Sequence, residues 1–456
     1  MSVTAPRRFG LAWIITFSVI LAAIVAFTIW RLSLGWQNKA RLKAIADRGE
    51  PVDSRALNQS YQAVPYSENA AVLWLRGAGE MTAAAADPKT WSKIKRPPHG
   101  TNVSATDIQL VRGLVASNEV ALATLHAAAA LSKSRYPVDL TPAMKTLLPH
   151  LSKMRAIARL LQAEALVAVQ DGDAARAVRS VTAILSQSRS LSPEPIPVSQ
   201  FVSYSIDASA FETAEYVINC LQLADAHLQT LTAVFAAAED TNGLYRALIG
   251  ERACFVTGMR DPHAMLRLAR AGLGTPAPSL SFQDVVWPFV RASGFFERDF
   301  GFGVDALSTN ILLARLPDPH RFASHTNWDA LLIRARKGRY LLSGVFLSAL
   351  DNTFVGDVTH RAQHRVAHLA LAVERYQRTR GEIPDQHTDL VPEFMASVLI
   401  DPFDGQPLRF KPLDSGYVVY SVGPDLRDDG GLEKPREPKE KEPWDLTFIV
   451  ERHETR

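Results

Sequence analysis

The run Phe9–Trp30, FGLAWIITFSVILAAIVAFTIW, holds 22 residues and no charge. At about 1.5 Å of rise per residue, a helix of that length crosses a hydrocarbon core of about 30 Å. Trp13 and Trp30 lie toward its two ends, where interfacial aromatics sit. A cleaved signal peptide is the alternative. The run is longer than an ordinary signal h-region, and no A-x-A site precedes the polar chain. No cysteine follows it directly, which excludes a lipoprotein. The expectation is an uncleaved single-pass anchor in the inner (cytoplasmic) membrane, with residues 1–36 as tail and anchor. Arg7 and Arg8 precede the span, while Arg31, Lys39, Arg41 and Lys43 follow it. Raw positive charge therefore favours a cytoplasmic C-terminal bulk. The opposite topology, with the bulk extracytoplasmic, is preferred because a short tail, one span and a large domain form a common signal-anchor layout.

The remaining chain is long enough for substantial cores. Ala-rich and Leu-rich blocks run to about Leu268 and favour helix, with prolines at their ends. Helices are expected at Ala70–Met81, opened by Ser67-Glu68-Asn69, and at Asp107–Leu131, Thr141–Gln170, Asp173–Ser190, Ser199–Leu221, Asp225–Ala238 and Asn242–Met259. Asp87–Thr106 reads as a loop. Leu273–Glu297 reads as a loop crossing an apolar surface, before helices at Val304–Leu316 and Asn327–Ser348. The piece LLQAEALVAVQDGDAARAVRSVTAIL suggests a helical hairpin with Asp173 as an N-cap. No 34-residue period repeats three times, so an irregular helical domain over 37–350 is preferred to a solenoid. The 50 basic and 47 acidic residues leave a net charge of +3, and nucleic acid is not expected as a partner. Cys220 and Cys254 form no CxxC pair, and the expected state is two unpaired thiols.

The densest turn chemistry lies in Ala372–Gly431, within a terminal module expected over 351–456. A helix from about Thr353 to Arg380 stops at Gly381. A short helical turn is expected at Thr388–Met395. Asp401-Pro402-Phe403-Asp404-Gly405 is a strong turn. Leu408–Lys411 and Tyr417–Ser421 read as antiparallel strands around Asp414-Ser415-Gly416, and Trp444–Glu451 reads as a third. The fold class is therefore mainly α, with a small α+β end built on a three-stranded antiparallel sheet.

The order Glu374-Arg375-Tyr376, Gly381 with Pro384, Leu390-Val391, Asp401–Gly405, Tyr420–Asp425 and Gly430-Gly431 resembles the C-terminal half of the major pseudopilin of type II secretion systems. The whole chain also resembles a group of membrane-anchored bacterial proteins with a helical middle and this same ending. The resemblance implies a pseudopilin-like module that binds calcium. It carries over Asp425 as the leading carboxylate and Asp445 as the later acid, with the carbonyls of Tyr420 and Val422 completing the site. Asp428 and Asp429 are alternates, and a solvated acidic loop without metal is the competing reading. Two departures stand out. The run LEKPREPKEKEP replaces the compact Gly-rich ending of the family. Ile15 also occupies the place of the glutamate that guides pseudopilin assembly, which speaks against incorporation into a filament.

His360, His364 and His368 recur at i, i+4 and i+8, on one helix face. There is no HExxH, and Arg361 and Arg365 interleave, so a polar surface stripe is preferred to a zinc site. Glu251-Arg252 reads as a surface pair. No GxSxG, GxxxxGK[ST] or GxGxxG motif occurs. The leading expectation is a structural or interaction protein of the cell envelope, near secretion machinery, partnered by the bilayer and by envelope or secretion proteins. The alternative is an envelope hydrolase or metal-dependent enzyme using His360, His364, His368 and Glu374.

Overall fold

A computed structural model of the chain describes residues 10–94, 99, 101, 103–262, 264–265, 289–350, 352–435 and 443–451. Helix dominates. In chain order come α1 (Gly10–Asp47), α2 (Ser54–Ser60), α3 (Ala70–Glu80), α4 (Ala83–Ala86), α5 (Pro88–Trp91), α6 (Ala105–Ala116) and α7 (Glu119–Ala129). They are followed by α8 (His150–Gln170), α9 (Ala174–Leu191), α10 (Pro197–Cys220), α11 (Asp225–Ala238) and α12 (Gly243–Gly258). The last five are α13 (Phe295–Leu313), α14 (His320–Ala323), α15 (His325–Gly338), α16 (Leu341–Ser348) and α17 (Thr353–Arg380). Three antiparallel strands close the chain in the order β1 (Arg409–Leu413), β2 (Gly416–Ser421) and β3 (Leu446–Glu451).

The helix α1 is long and apolar enough to cross a membrane, and its window of highest hydropathy is not buried at all. Trp13 is 68% exposed, and Phe17, Ile20, Ile24 and Phe27 are exposed with it. The same helix runs unbroken through the basic segment that follows. There Asn38 Nδ2 donates to the Glu297 carbonyl at 2.9 Å, and Arg41 forks onto both Asp305 oxygens at 2.8 and 2.9 Å. Arg31 meets Glu297 at 2.5 Å. One helix is thus bare at one end and docked on α13 at the other. The stretch from Leu341 is also long and apolar, but it is about half buried within the body and divides into α16 and α17.

Sequence signals place most helix boundaries. Asn69 caps α3 by accepting from the Ala71 amide, and Asp173 caps α9 by accepting from the Arg176 amide. Gly172 makes the tight break between α8 and α9 at φ +73°, and Gly381 ends α17 at φ +82°, both left-handed positions that favour glycine. Four segments differ from expectation. Asp107–Leu131 divides at Ser117-Asn118, because the Asn118 side chain donates to the Leu114 carbonyl and accepts from the Thr82 amide. The block expected from Thr141 becomes regular α-helix only at His150, after Pro142 and Pro149. Asn327–Ser348 divides at Arg339, which takes the left-handed conformation at φ +57°. Asp87–Thr106 is not all loop, since Asp87 caps the short α5. The loop expected at Leu273–Glu297 lies mostly outside the described residues.

The apolar interior forms two main clusters. The first joins α3 and α6–α11 to α17 and the inner face of the sheet, and includes Trp74, Leu161, Phe235, Val366, Tyr417 and Phe448. The second gathers α12, α13, α15 and α16 around Phe255, Leu307, Trp328 and Phe346, and reaches Ile45 at the base of α1. Arg252 is buried here and pairs with Glu50 at 2.5 Å. The expected Glu251–Arg252 surface pair is therefore replaced by a contact across 202 residues of chain, since burial makes a partner for Arg252 obligatory.

The sheet is bound to the helices by polar groups as well as apolar ones. The outer edge of β3 faces α10, where the Ile449 amide donates to Glu215 Oε1 at 2.8 Å. Asn219 Nδ2 donates to the Ile449 carbonyl, and the Glu451 amide donates to Asn219 Oδ1, both at 2.7 Å. These side chains complete the unpaired ladder of an edge strand. Asn219→Ala leaves an amide and a carbonyl of that edge without a protein partner, and a loss of about 2–4 kcal/mol is expected. Denaturant unfolding of the full chain in detergent reads it; an unchanged midpoint would show that Asn219 does not hold the edge.

Candidate functional site

Two clusters carry candidate chemistry, one in the terminal loop and one inside the helical core. The loop is set by the turn at Asp401. That carboxylate is fully buried and accepts from the Phe403 amide, the Ser421 hydroxyl and the Val422 amide at 3.0, 2.9 and 3.0 Å. It thereby ties the Asp401–Gly405 turn to the end of β2, where the acidic loop begins. Burial raises the Asp401 pKa, and its hydrogen-bond donors oppose that rise.

Within the loop the candidate residues separate. Asp425 is exposed and accepts from the Arg427 amide at 3.1 Å. Val422 directs its amide to Asp401, and Tyr420 lies on the central strand with its hydroxyl donating to Asp428 Oδ1 at 3.1 Å. Asp445 is the buried acid, 1% exposed, and accepts from the Gly431 amide at 2.7 Å. Its second oxygen, Oδ1, is buried and has no hydrogen-bond partner, and the same holds for Asp429 Oδ2. Burial raises the Asp445 pKa, the Gly431 and Asp429 amides oppose the rise, and the neighbouring Asp428 and Asp429 carboxylates add to it. Arg409 pairs with Asp404 at 2.6 Å and reaches Asp428 at 3.2 Å, so part of the acidic charge is already compensated. The unmet demand lies at Asp429 and Asp445.

The second cluster overturns the expected histidine stripe. His360 and His364 are 3% and 2% exposed, because α17 is packed between α10, α11 and the sheet. The interleaved arginines turn toward other acids. Arg361 binds Asp318 at 2.7 Å, while Arg365 binds Asp318 at 2.9 Å and Glu239 at 2.8 Å. The imidazoles instead face Asp207 of α10, itself buried. His360 Nδ1 lies 3.2 Å and His364 Nε2 3.5 Å from Asp207 Oδ2. The Tyr204 ring stacks on His360 with centroids 4.5 Å apart, and Phe235 meets His364 edge to face. Burial pushes the His360 pKa down to about 3, so its imidazole is neutral at physiological pH.

His368 lies outside this trio, and burial lowers its pKa also. Glu374 is buried six residues further on and accepts from the Tyr417 hydroxyl at 3.3 Å, where it joins the sheet to α17. The four residues considered for an enzyme therefore do not form one site. Asp207 was missed because nothing in the stretch YSIDASAF signals a ligand; only the packing of α10 on α17 brings it to the histidines. Compared with models of protein families, with curated proteins and with solved structures, the chain matches none.

Proposed function

We propose that the chain is a single-pass protein of the inner membrane, with its helical bulk outside the cytoplasm. It works there as a structural or interaction protein of the cell envelope, next to secretion machinery. The observation that carries this reading is α1: its apolar half is bare on every side, and its other half is docked on α13. A segment exposing so much apolar area is stable only where something apolar covers it, and the bilayer supplies that cover. The enzyme reading gains no support from His360 and His364, whose burial closes them to a substrate. A reporter enzyme fused after residue 456 tests the topology. Activity of a periplasm-dependent reporter is expected, and activity only of a cytoplasm-dependent one would reverse the orientation.

The terminal module is read as pseudopilin-like, with a calcium ion held at its acidic loop. Calcium takes six to eight oxygens from carboxylates, carbonyls and water. The two unmet oxygens of Asp429 and Asp445 suit that need, with Asp425 reaching the ion through water or by a small movement of its exposed loop. The prediction has two arms. Millimolar calcium should raise the melting temperature of the full chain, and Asp445→Asn should abolish at least half of that rise, whereas an equal rise in the variant would remove the site. The pH dependence gives a second reading of the same carboxylate. Because the folded pKa of Asp445 lies above its unfolded value, its contribution to stability is present at low pH. That contribution is lost as pH rises from the ordinary carboxylate range through the raised one. Wild type without calcium should therefore lose more stability over that range than Asp445→Asn, and calcium should cancel the difference.

A further inference from the structure

We propose that Asp207, His360 and His364 bind one divalent first-row transition-metal ion, of the zinc or ferrous class, that clamps α10 to α17. The site is separate from the acidic loop and does not depend on how that loop is read.

The first support is geometric. Each of the three residues offers one donor atom, and the three donors lie within 4.8 Å of one another. Two donors bound to one ion at about 2.1 Å are separated by about 3.0–3.4 Å, for octahedral or tetrahedral angles. The two distances to Asp207 Oδ2 are 3.2 and 3.5 Å. They are short enough for hydrogen bonds, yet neither His360 Nδ1 nor His364 Nε2 makes one. Lone pairs that converge on a common point, rather than on each other, produce this combination of close approach and missing bonds.

The second support is polar accounting. Asp207 Oδ1, His360 Nδ1 and both ring nitrogens of His364 are buried without a hydrogen-bond partner. Buried polar atoms of folded proteins are nearly always satisfied, and a buried carboxylate with one oxygen unmet is costly. The nearby guanidiniums do not meet the demand, because Arg361 and Arg365 are engaged by Asp318 and Glu239. A cation coordinated by the carboxylate and both imidazoles satisfies one donor on each residue and offsets the carboxylate charge.

The donor set selects the ion. Two imidazoles and one carboxylate suit zinc and ferrous iron, whereas calcium and magnesium prefer oxygen alone. The i, i+4 spacing puts both imidazoles on one helix face, and the third ligand comes from a different helix. The ion therefore joins two elements. All three ligands are buried, so no substrate reaches the ion, and the role fitted by this site is structural.

The test uses the full chain in detergent, purified without a histidine tag or chelator from cells grown with added zinc, iron, manganese and cobalt. Elemental analysis should find close to one equivalent of a single transition metal, and the element found identifies the ion. Asp207→Asn and His364→Gln should each lower that content at least about tenfold, while His368→Gln, one turn along α17, should retain it. A cobalt-loaded sample should show visible d–d absorption that both ligand variants lose. Helix content by circular dichroism separates ligand loss from unfolding. The proposal is overturned by wild-type protein with less than one tenth of an equivalent of every such metal. It is equally overturned by folded ligand variants that keep the metal, which would then sit elsewhere.

Discussion

The constraint on which the body depends is the burial of α17, a 28-residue helix rich in charged and polar side chains, within a folded interior. A helix surrounded on nearly all sides is ordinarily apolar all round. This one carries Asp357, His360, Arg361, His364 and Glu374 at buried positions. Each therefore fixes a neighbour. Asp357 accepts from Arg321 at 3.0 Å and from the Tyr204 hydroxyl at 3.1 Å, which holds α14 and α10 in place. Arg361 and Arg365 share Asp318 and Glu239. The carbonyl of Ala370, one turn before Glu374, receives the Tyr417 hydroxyl at 3.0 Å, which seats the sheet. Apolar packing supplies most of the stability, but these polar contacts set which elements meet and in what register.

That division explains what was legible in the sequence. Helices ended by local chemistry are read well: α11 and α17 have the expected limits, and Asn69, Asp173 and Gly381 act as caps or stops. The strands follow from the turns at Asp401–Gly405 and Asp414-Ser415. Errors fall where a tertiary contact overrides propensity, as at Asn118, whose side chain reaches Thr82 across 36 residues. The histidines fail for the same reason. Polar residues at i, i+4 and i+8 look like a solvated face until α10 and α11 are laid over them. The acid opposite them lies 153 residues upstream of His360, and no local pattern connects the two.

The two candidate metal sites use different chemistry in different places. The loop between β2 and β3 offers oxygen donors alone, the buried Asp445 among them, from a segment whose charge is partly met by Arg409. The α10–α17 site offers nitrogen and oxygen donors inside the first core, where access is closed. Ions of different hardness would occupy them, and each would stabilise a different contact: the loop against the sheet in one case, two helices in the other.

The continuity of α1 has a mechanical consequence. Its basic half belongs to the second core through Ile45 and through the contacts of Arg31, Asn38 and Arg41 with α13. The helix runs without a break from Gly10 to Asp47, and Arg31, at the start of that half, is already held by Glu297. The body therefore cannot swivel on the apolar segment as it would on a flexible tether. Any tilt or axial rotation of that segment is handed on to α13, so the helix works as a rigid lever arm, and the faces the body presents are set by how the segment lies.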